Sequence, residues 1–266
     1  MISEDINILG GFLGRRDVSV LTAQELKKRY GFERADVFVL FGGSILCGGD
    51  VMAEAIKNRV AQHFVIVGGA GHTTESLRQR VHAEYPDIET EGLPEAEVFE
   101  RYLAQCYSLH ADFLECESTN CGNNITLLLK LLEEHNISFS SMILCQDASM
   151  QLRMSAGLRK YRPDAEIINY AAYQARVQED ADGTLAFGQK IPGMWDMDRY
   201  ITLLMGEIPR LRDDAEGYGP AGKGYIAHVD IPEEVETAFR NLQIVYADHI
   251  RQANPAYASR EERIRK

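Results

Sequence analysis

The chain has 266 residues, 45% hydrophobic and 26% charged, the make-up of a globular protein that can bury a core without disulfide or metal staples. Its formal net charge of −12 leaves no surplus of Lys and Arg to neutralise phosphates, so no nucleic-acid partner is expected; plain solubility explains the acidity as well as a cationic ligand would. Five cysteines without a C-x-x-C pair read as reduced thiols, the acidic start Met1–Asp5 is unlike a secretory signal, and no apolar run nears the ~20 residues of a membrane span, so a cytoplasmic chain is expected.

In chain order, residues 1–34 read as a helical lead-in. Short, near-continuous apolar runs follow at Val37–Phe41, Phe64–Val67, Phe113–Cys116, Met142–Cys145 and Glu166–Tyr170. Parallel strands covered on both faces have this pattern. Between them lie helical stripes: Val51, Ala55, Ile56 and Val60; Val98, Tyr102 and Cys106; Ile125, Leu128, Leu129 and Leu132; and, less cleanly, Leu152 and Ala156. The long crossover from the second strand to the third is expected to hold two helices, near 74–84 and 94–109, the latter opening on Pro94. Alternating strands and helices predict a three-layer α/β, Rossmann-like domain over 1–180 with a mostly parallel five-stranded sheet.

Beyond residue 180 a smaller, mainly helical part is expected to 266. The stretch "QEDADGTLAFGQKIPGMW" reads as loop with a short hairpin, followed by a helix near 195–206. A last helix is expected with Asp230 as N-cap, Pro232 first, and Val235, Phe239, Leu242 and Tyr246 buried; the tail from Asn254 is expected to fray.

In an open parallel sheet, ligands bind beyond the carboxyl ends of the strands. There the chain carries Gly42-Gly43-Ser44, then Gly68-Gly69-Ala70-Gly71-His72, then Glu117-Ser118-Thr119-Asn120 with Asn123 and Asn124, then Asp147. Each glycine pair has two readings: a tight strand-to-helix turn, or backbone left bare for an anionic ligand at a helix start. Neither loop has the G-x-x-x-x-G-K-[ST] or G-x-G-x-x-G spacing. His72 suits a rim acid, base or donor, or a helix-start cap. Glu117 and Asp147 are expected to end neighbouring core strands, where a carboxylate meets a ribose hydroxyl, an ammonium or a helix start. Cys121 begins a helix, which favours the thiolate, but no base is assignable to it. Arg153 suits an anion, while Arg210 and Arg212 are expected to pair locally with Asp213 and Asp214. No His/Cys/Asp/Glu set has zinc-ligand spacing, and no metal is expected. The loop "EGYGPAGKGY", residues 216–225, is expected to close the rim pocket, with Tyr218 stacking on a base and Lys223 meeting a phosphate or carboxylate.

Gly42-Gly43, Gly68-Gly69, Glu95-Ala96-Glu97 opening a helix, and "ESTNCGNN" together resemble the bacterial α/β family typified by SanA, ElyC and YdcF. The stretch "RYITLLMGEIPRLRDDAEGYGPAGKGYIAHVDIP" extends the likeness to the YdcF branch over nearly the whole chain. The resemblance implies a Rossmann-type domain with a smaller helical part, and S-adenosylmethionine as ligand. Two departures stand out. The acid that methyltransferases place after the second strand for the ribose is replaced by Gly69-Ala70-Gly71, and "QDASMQLRM" lacks the histidine the family core often has after the fourth strand. The expected function is binding of an adenosyl or nucleotide small molecule at the rim, with transferase chemistry if the chain is catalytic. An enzyme acting on a phosphorylated or nucleotide-linked envelope precursor, and a non-catalytic metabolite sensor, stay open.

Overall fold

The computed structural model describes residues 1–247 apart from Ser44 and His72. Two helices, α1 (Ile2–Leu13) and α2 (Ala23–Tyr30), lead into the sheet. Then follow β1 (Ala35–Phe41), α3 (Cys47–Lys57), β2 (Ala61–Val67), α4 (Thr74–Glu84), α5 (Glu95–Tyr107), β3 (Phe113–Glu115), α6 (Cys121–Glu134), β4 (Ser141–Cys145), α7 (Gln151–Tyr161) and β5 (Glu166–Asn169). A hairpin of β6 (Val177–Glu179) and β7 (Leu185–Phe187) precedes α8 (Met197–Leu211) and α9 (Glu233–Val245).

The five long-range strands form one parallel sheet in the order β3-β2-β1-β4-β5. Both faces of β1 are apolar because both are covered. Val37, Val39 and Phe41 pack with Ile125, Leu128 and Met154, whereas Phe38 and Leu40 join the core that contains Met52, Phe99 and Tyr102. This two-sided burial is why the strand sequences run apolar without alternating. At the far edge, Asp36 ties β1 to β4 by accepting from the backbone and hydroxyls of Ser140 and Ser141.

Several boundaries differ from expectation. Val60 lies past α3: Arg59, at φ 50°, ends the helix, and the Val60 carbonyl accepts from Ala35 N as the chain enters β2. Pro94 and Pro232 are N-caps with extended backbone, so α5 and α9 begin one residue later. Asp230 therefore does not cap α9; it bonds His228 instead. α8 runs to Leu211, with Pro209 in its last turn.

The part beyond residue 180 shares the main core. Ile6, Leu9 and Leu13 of α1 are fully buried in the same cluster as Tyr200, Ile201, Leu204 and Phe239. The Asn7 side chain donates to Val177 O at 2.8 Å and accepts from Val177 N at 2.7 Å. All five cysteines are free. Burial pushes the Cys47 thiol up to about 12 and Cys116 up to about 11, which makes both poor nucleophiles. Among the described residues, no helix is long and apolar enough to cross a membrane.

Candidate functional site

The ends of β1, β2, β3 and β4 carry the predicted loops to one rim, and chain direction across the sheet reverses between β1 and β4. That reversal opens a crevice by construction, since the connections leave on opposite faces. Glu117 and Asp147 do not end neighbouring strands: β3 is the edge strand, and β2 and β1 lie between it and β4. Ser44 and His72 lie outside the described residues, so nothing is placed on them.

The glycines divide by what faces them. A Cβ on Gly69 would fall on the Ser118 carbonyl and within 2.7 Å of the Cys116 oxygen. A Cβ on Gly42 would sit 2.5 Å from Glu95 Oε2, and one on Gly68 3.0 Å from Glu95 Cβ. These three are bare because the polypeptide itself presses on them. Gly43 and Gly71 differ. Among the described residues, a Cβ on Gly43 meets only Gln146 Oε1 within 4 Å, at 3.5 Å, and one on Gly71 only the Thr119 oxygen, also at 3.5 Å. Gly43 lines a cavity of about 10 Å³, room for one water, together with Phe41, Ile45, Phe99, Gln146 and Asp147.

Glu95 is the residue that inspection of the strand ends passed over. It opens α5, is 7% exposed, and accepts from Thr74 Oγ1 at 2.8 Å and Thr73 Oγ1 at 3.1 Å. Burial raises its carboxyl above the usual carboxylate range, against the lowering effect of Thr74, Thr73 and Arg78. Arg78 also braces the preceding turn by donating to Leu93 O.

The second acid that reading the loops missed is Glu115. It is 6% exposed; its Oε1 accepts from Glu117 N at 2.6 Å and Ser118 N at 2.9 Å, and its Oε2 has no hydrogen-bond partner. Glu117, the expected contact, is exposed. Ser118 is buried and its Oγ accepts from Gly69 N at 3.1 Å. Asn120 and Asn123 form a reciprocal capping box at the start of α6, and Asn123 also bonds Thr119 N and Oγ1. Asn124 is half-buried on the first turn of α6.

Asp147 is buried and heavily bonded. Its Oδ1 accepts from Ser149 N, Ser149 Oγ and Tyr173 OH at 2.7–2.8 Å, and its Oδ2 from Trp195 Nε1 at 3.1 Å. Burial, reinforced by Asp147, holds the Tyr173 phenol well above its ordinary range. Trp195 belongs to a strap, residues 191–195, that this bond ties to the end of β4. Arg80 of α4 donates to Gly193 O, and its guanidinium lies 4.9 Å from the Trp195 ring centroid. A lone large aromatic after Pro192-Gly193 is the sequence signal for this strap.

Arg153 is held by Glu207 of α8, with Nε–Oε2 2.5 Å and Nη2–Oε1 3.1 Å, which engages it away from the anion role expected of it. Lys223 Nζ lies 5.1 Å over the Tyr218 ring. The hydrogen bonds of loop 216–225 run to the end of α8: Tyr218 N to Arg210 O, Gly219 N to Arg212 O, and Ala221 N to Asp213 Oδ1. The strap is bonded to the end of β4 through Trp195 and to α4 through Gly193. Arg210 and Arg212 do not pair with Asp213 and Asp214. Arg212 reaches Glu236 of α9 at 2.6 Å, Arg210 lies 3.7 Å from Glu207, and Asp213 takes His228.

Among the described residues, no group of three or more His, Cys, Asp or Glu side chains could hold a metal ion. No family model matches the chain. Two solved structures are similar at low level. "TcdA (CsdL)" has 12% identity and a TM-score of 0.34, covering 86% of this chain and 99% of that one. E. coli tRNA N6-threonylcarbamoyladenosine dehydratase, TcdA, has 14% identity and a TM-score of 0.32, covering 84% and 94%.

Proposed function

We propose that this chain binds an adenosyl compound, S-adenosylmethionine or its demethylated product, in the crevice between the ends of β1 and β4. The observation that carries the reading is the sheet order, with its reversal beside Gly43, one of the two rim glycines whose face the described residues do not press on. The identity of the ligand comes from the resemblance to the SanA, ElyC and YdcF family, and membership of that family is part of the proposal. A nucleoside needs a pocket of roughly 300 Å³ or more, so the 10 Å³ cavity beside Gly43 widens to admit it.

A second reading, a binding protein without turnover, is favoured by the bonding of Asp147 and Arg153. Both side chains are spent on holding the strap and α8 rather than left to act on a substrate. If the chain is an enzyme, a transferase is the class that an adenosyl ligand suggests. Mass spectrometry of small molecules carried through purification tests the proposal, followed by turnover assays for methyl loss and phosphate release. A co-purified S-adenosyl compound without turnover supports binding alone; methyl loss supports a transferase. Phosphate release from a phosphorylated precursor, with no adenosyl species bound, overturns the adenosyl reading.

A further inference from the structure

The end of β2 has no acid of its own: Val67 is followed by Gly68-Gly69-Ala70-Gly71. In dinucleotide-binding sheets a carboxylate in this neighbourhood holds the ribose hydroxyls. Here a carboxylate arrives from elsewhere. Glu95 N donates to Gly69 O at 2.9 Å and Ala96 N to Gly68 O at 2.8 Å, so the first turn of α5 is bonded directly to the continuation of β2. This places the Glu95 side chain between the ends of β1 and β2, against Gly42 and Gly68.

We propose that Glu95 is the ribose-recognising residue of the ligand site, supplied in trans along the chain by the start of α5 in place of an acid ending β2. The assignment rests on the adenosyl reading above. Both threonine hydroxyls bond Oε1, and no hydrogen bond from a described residue reaches Oε2. Glu95 as a whole is 7% exposed, and Oε2 is not among the sealed, unpartnered side-chain atoms of the described residues, so a ligand hydroxyl that donates to it takes the place of water. A vicinal diol supplies such a hydroxyl. Capping alone does not account for the arrangement. An acid that only serves a helix start does so from the exposed first turn, as Glu233 and Glu234 do on α9.

Burial raises the free Glu95 carboxyl, and hydroxyl donors favour its ionised form. Affinity for the diol therefore rises with pH above the ordinary glutamate value of 4.5 and is lost as the carboxyl is protonated.

The test is calorimetric titration of S-adenosylhomocysteine and its 2′-deoxy analogue into the full chain, as wild type, Glu95→Met and Glu95→Gln. Wild type should prefer the ribose form by roughly tenfold to a hundredfold, the scale of a hydrogen bond to a charged group. In Glu95→Met the preference should shrink to about twofold, with the deoxy analogue bound nearly as before, since only the hydroxyl contact is removed. Should Glu95→Met fail to fold, Glu95→Gln should still bind and lose the pH dependence of affinity while keeping part of the preference. An undiminished preference in either folded variant, or equal loss for both compounds, overturns the assignment. So does wild type binding both compounds equally, which leaves the adenosyl reading standing. If wild type binds neither, the adenosyl reading and the ribose assignment fall together.

Discussion

Gly69 and Gly43 end neighbouring strands and carry opposite consequences. A methyl on Gly69 has to displace backbone at Cys116 and Ser118, whereas one on Gly43 makes ordinary contact with Gln146. Gly69→Ala should therefore cost about 1–3 kcal/mol, the usual overpacking range, seen as a lower denaturation midpoint. Gly43→Ala should stay within about 1 kcal/mol of wild type or gain slightly, because its backbone is outside the left-handed region and the unfolded chain loses freedom. Equal destabilisation by both would contradict the division. Glu95 adds a pH test. Its folded carboxyl is raised by burial, so the folded state keeps a proton that the unfolded chain has lost. That contribution to stability is fully present below 4.5, the ordinary value, and is lost as pH rises through the folded pKa. Glu95→Gln should lack this fall, so its stability relative to wild type should increase from acid to neutral pH. A parallel pair of stability curves would show that Glu95 does not titrate as described. Residue type made the glycine pairs conspicuous in the sequence, but which of them is open depends on what packs behind it. Glu95 and Gly68 are far apart along the chain, and Pro94-Glu95 announces only a helix start.

At the scale of elements, an ion pair links the α/β layers to the C-terminal helices beside the shared apolar core. Arg153 of α7 and Glu207 of α8 are nearly buried, with side-chain exposures of 14% and 5%. Breaking such a pair leaves a charge in a poor solvent, so Glu207→Ala should cost about 3–5 kcal/mol. At roughly 2–4 °C per kcal/mol, the melting temperature should fall by about 10 °C. The double replacement Arg153→Met with Glu207→Leu should recover much of this, since no charge is then stranded. A Glu207→Ala variant that melts with wild type would mean the pair contributes little. The elements were the most legible level of the sequence. Five apolar runs bounded by turn residues became five strands, and both crossover helices lie where the periodicity puts them, because each is set by local pattern. Strand order was not legible, since it depends on which face each crossover takes, and this is why Glu117 and Asp147 were read as neighbours. Glu115 was passed over for Glu117 because an acid at the end of an apolar run gives no sign of facing inward.

At the scale of the whole molecule, one core joins α1 to α8 and α9. Removing 181–266 would strip Ile6, Leu9 and Leu13 of α1 of the helices that cover them and leave Arg153 without Glu207. A chain ending at residue 180 should lack a cooperative thermal transition, and a sharp transition in calorimetry would show that the α/β layers fold alone. The excess of 40 acidic over 28 basic residues, a net −12, sets the solubility of this whole but selects no ligand. What joins fold to function is the crevice at the reversal of the sheet, and the chain carries its own reporter there. Trp195 is its single tryptophan, bonded to Asp147 at the end of β4. The decisive measurement is a titration of S-adenosylhomocysteine against Trp195 emission, with calorimetry in parallel, for wild type and Gly43→Val. Wild type should saturate with a change in emission, and a folded Gly43→Val should show none, because its side chain fills the open face of the crevice. No saturable response in wild type, or the same affinity in a folded Gly43→Val, would contradict an adenosyl site between β1 and β4.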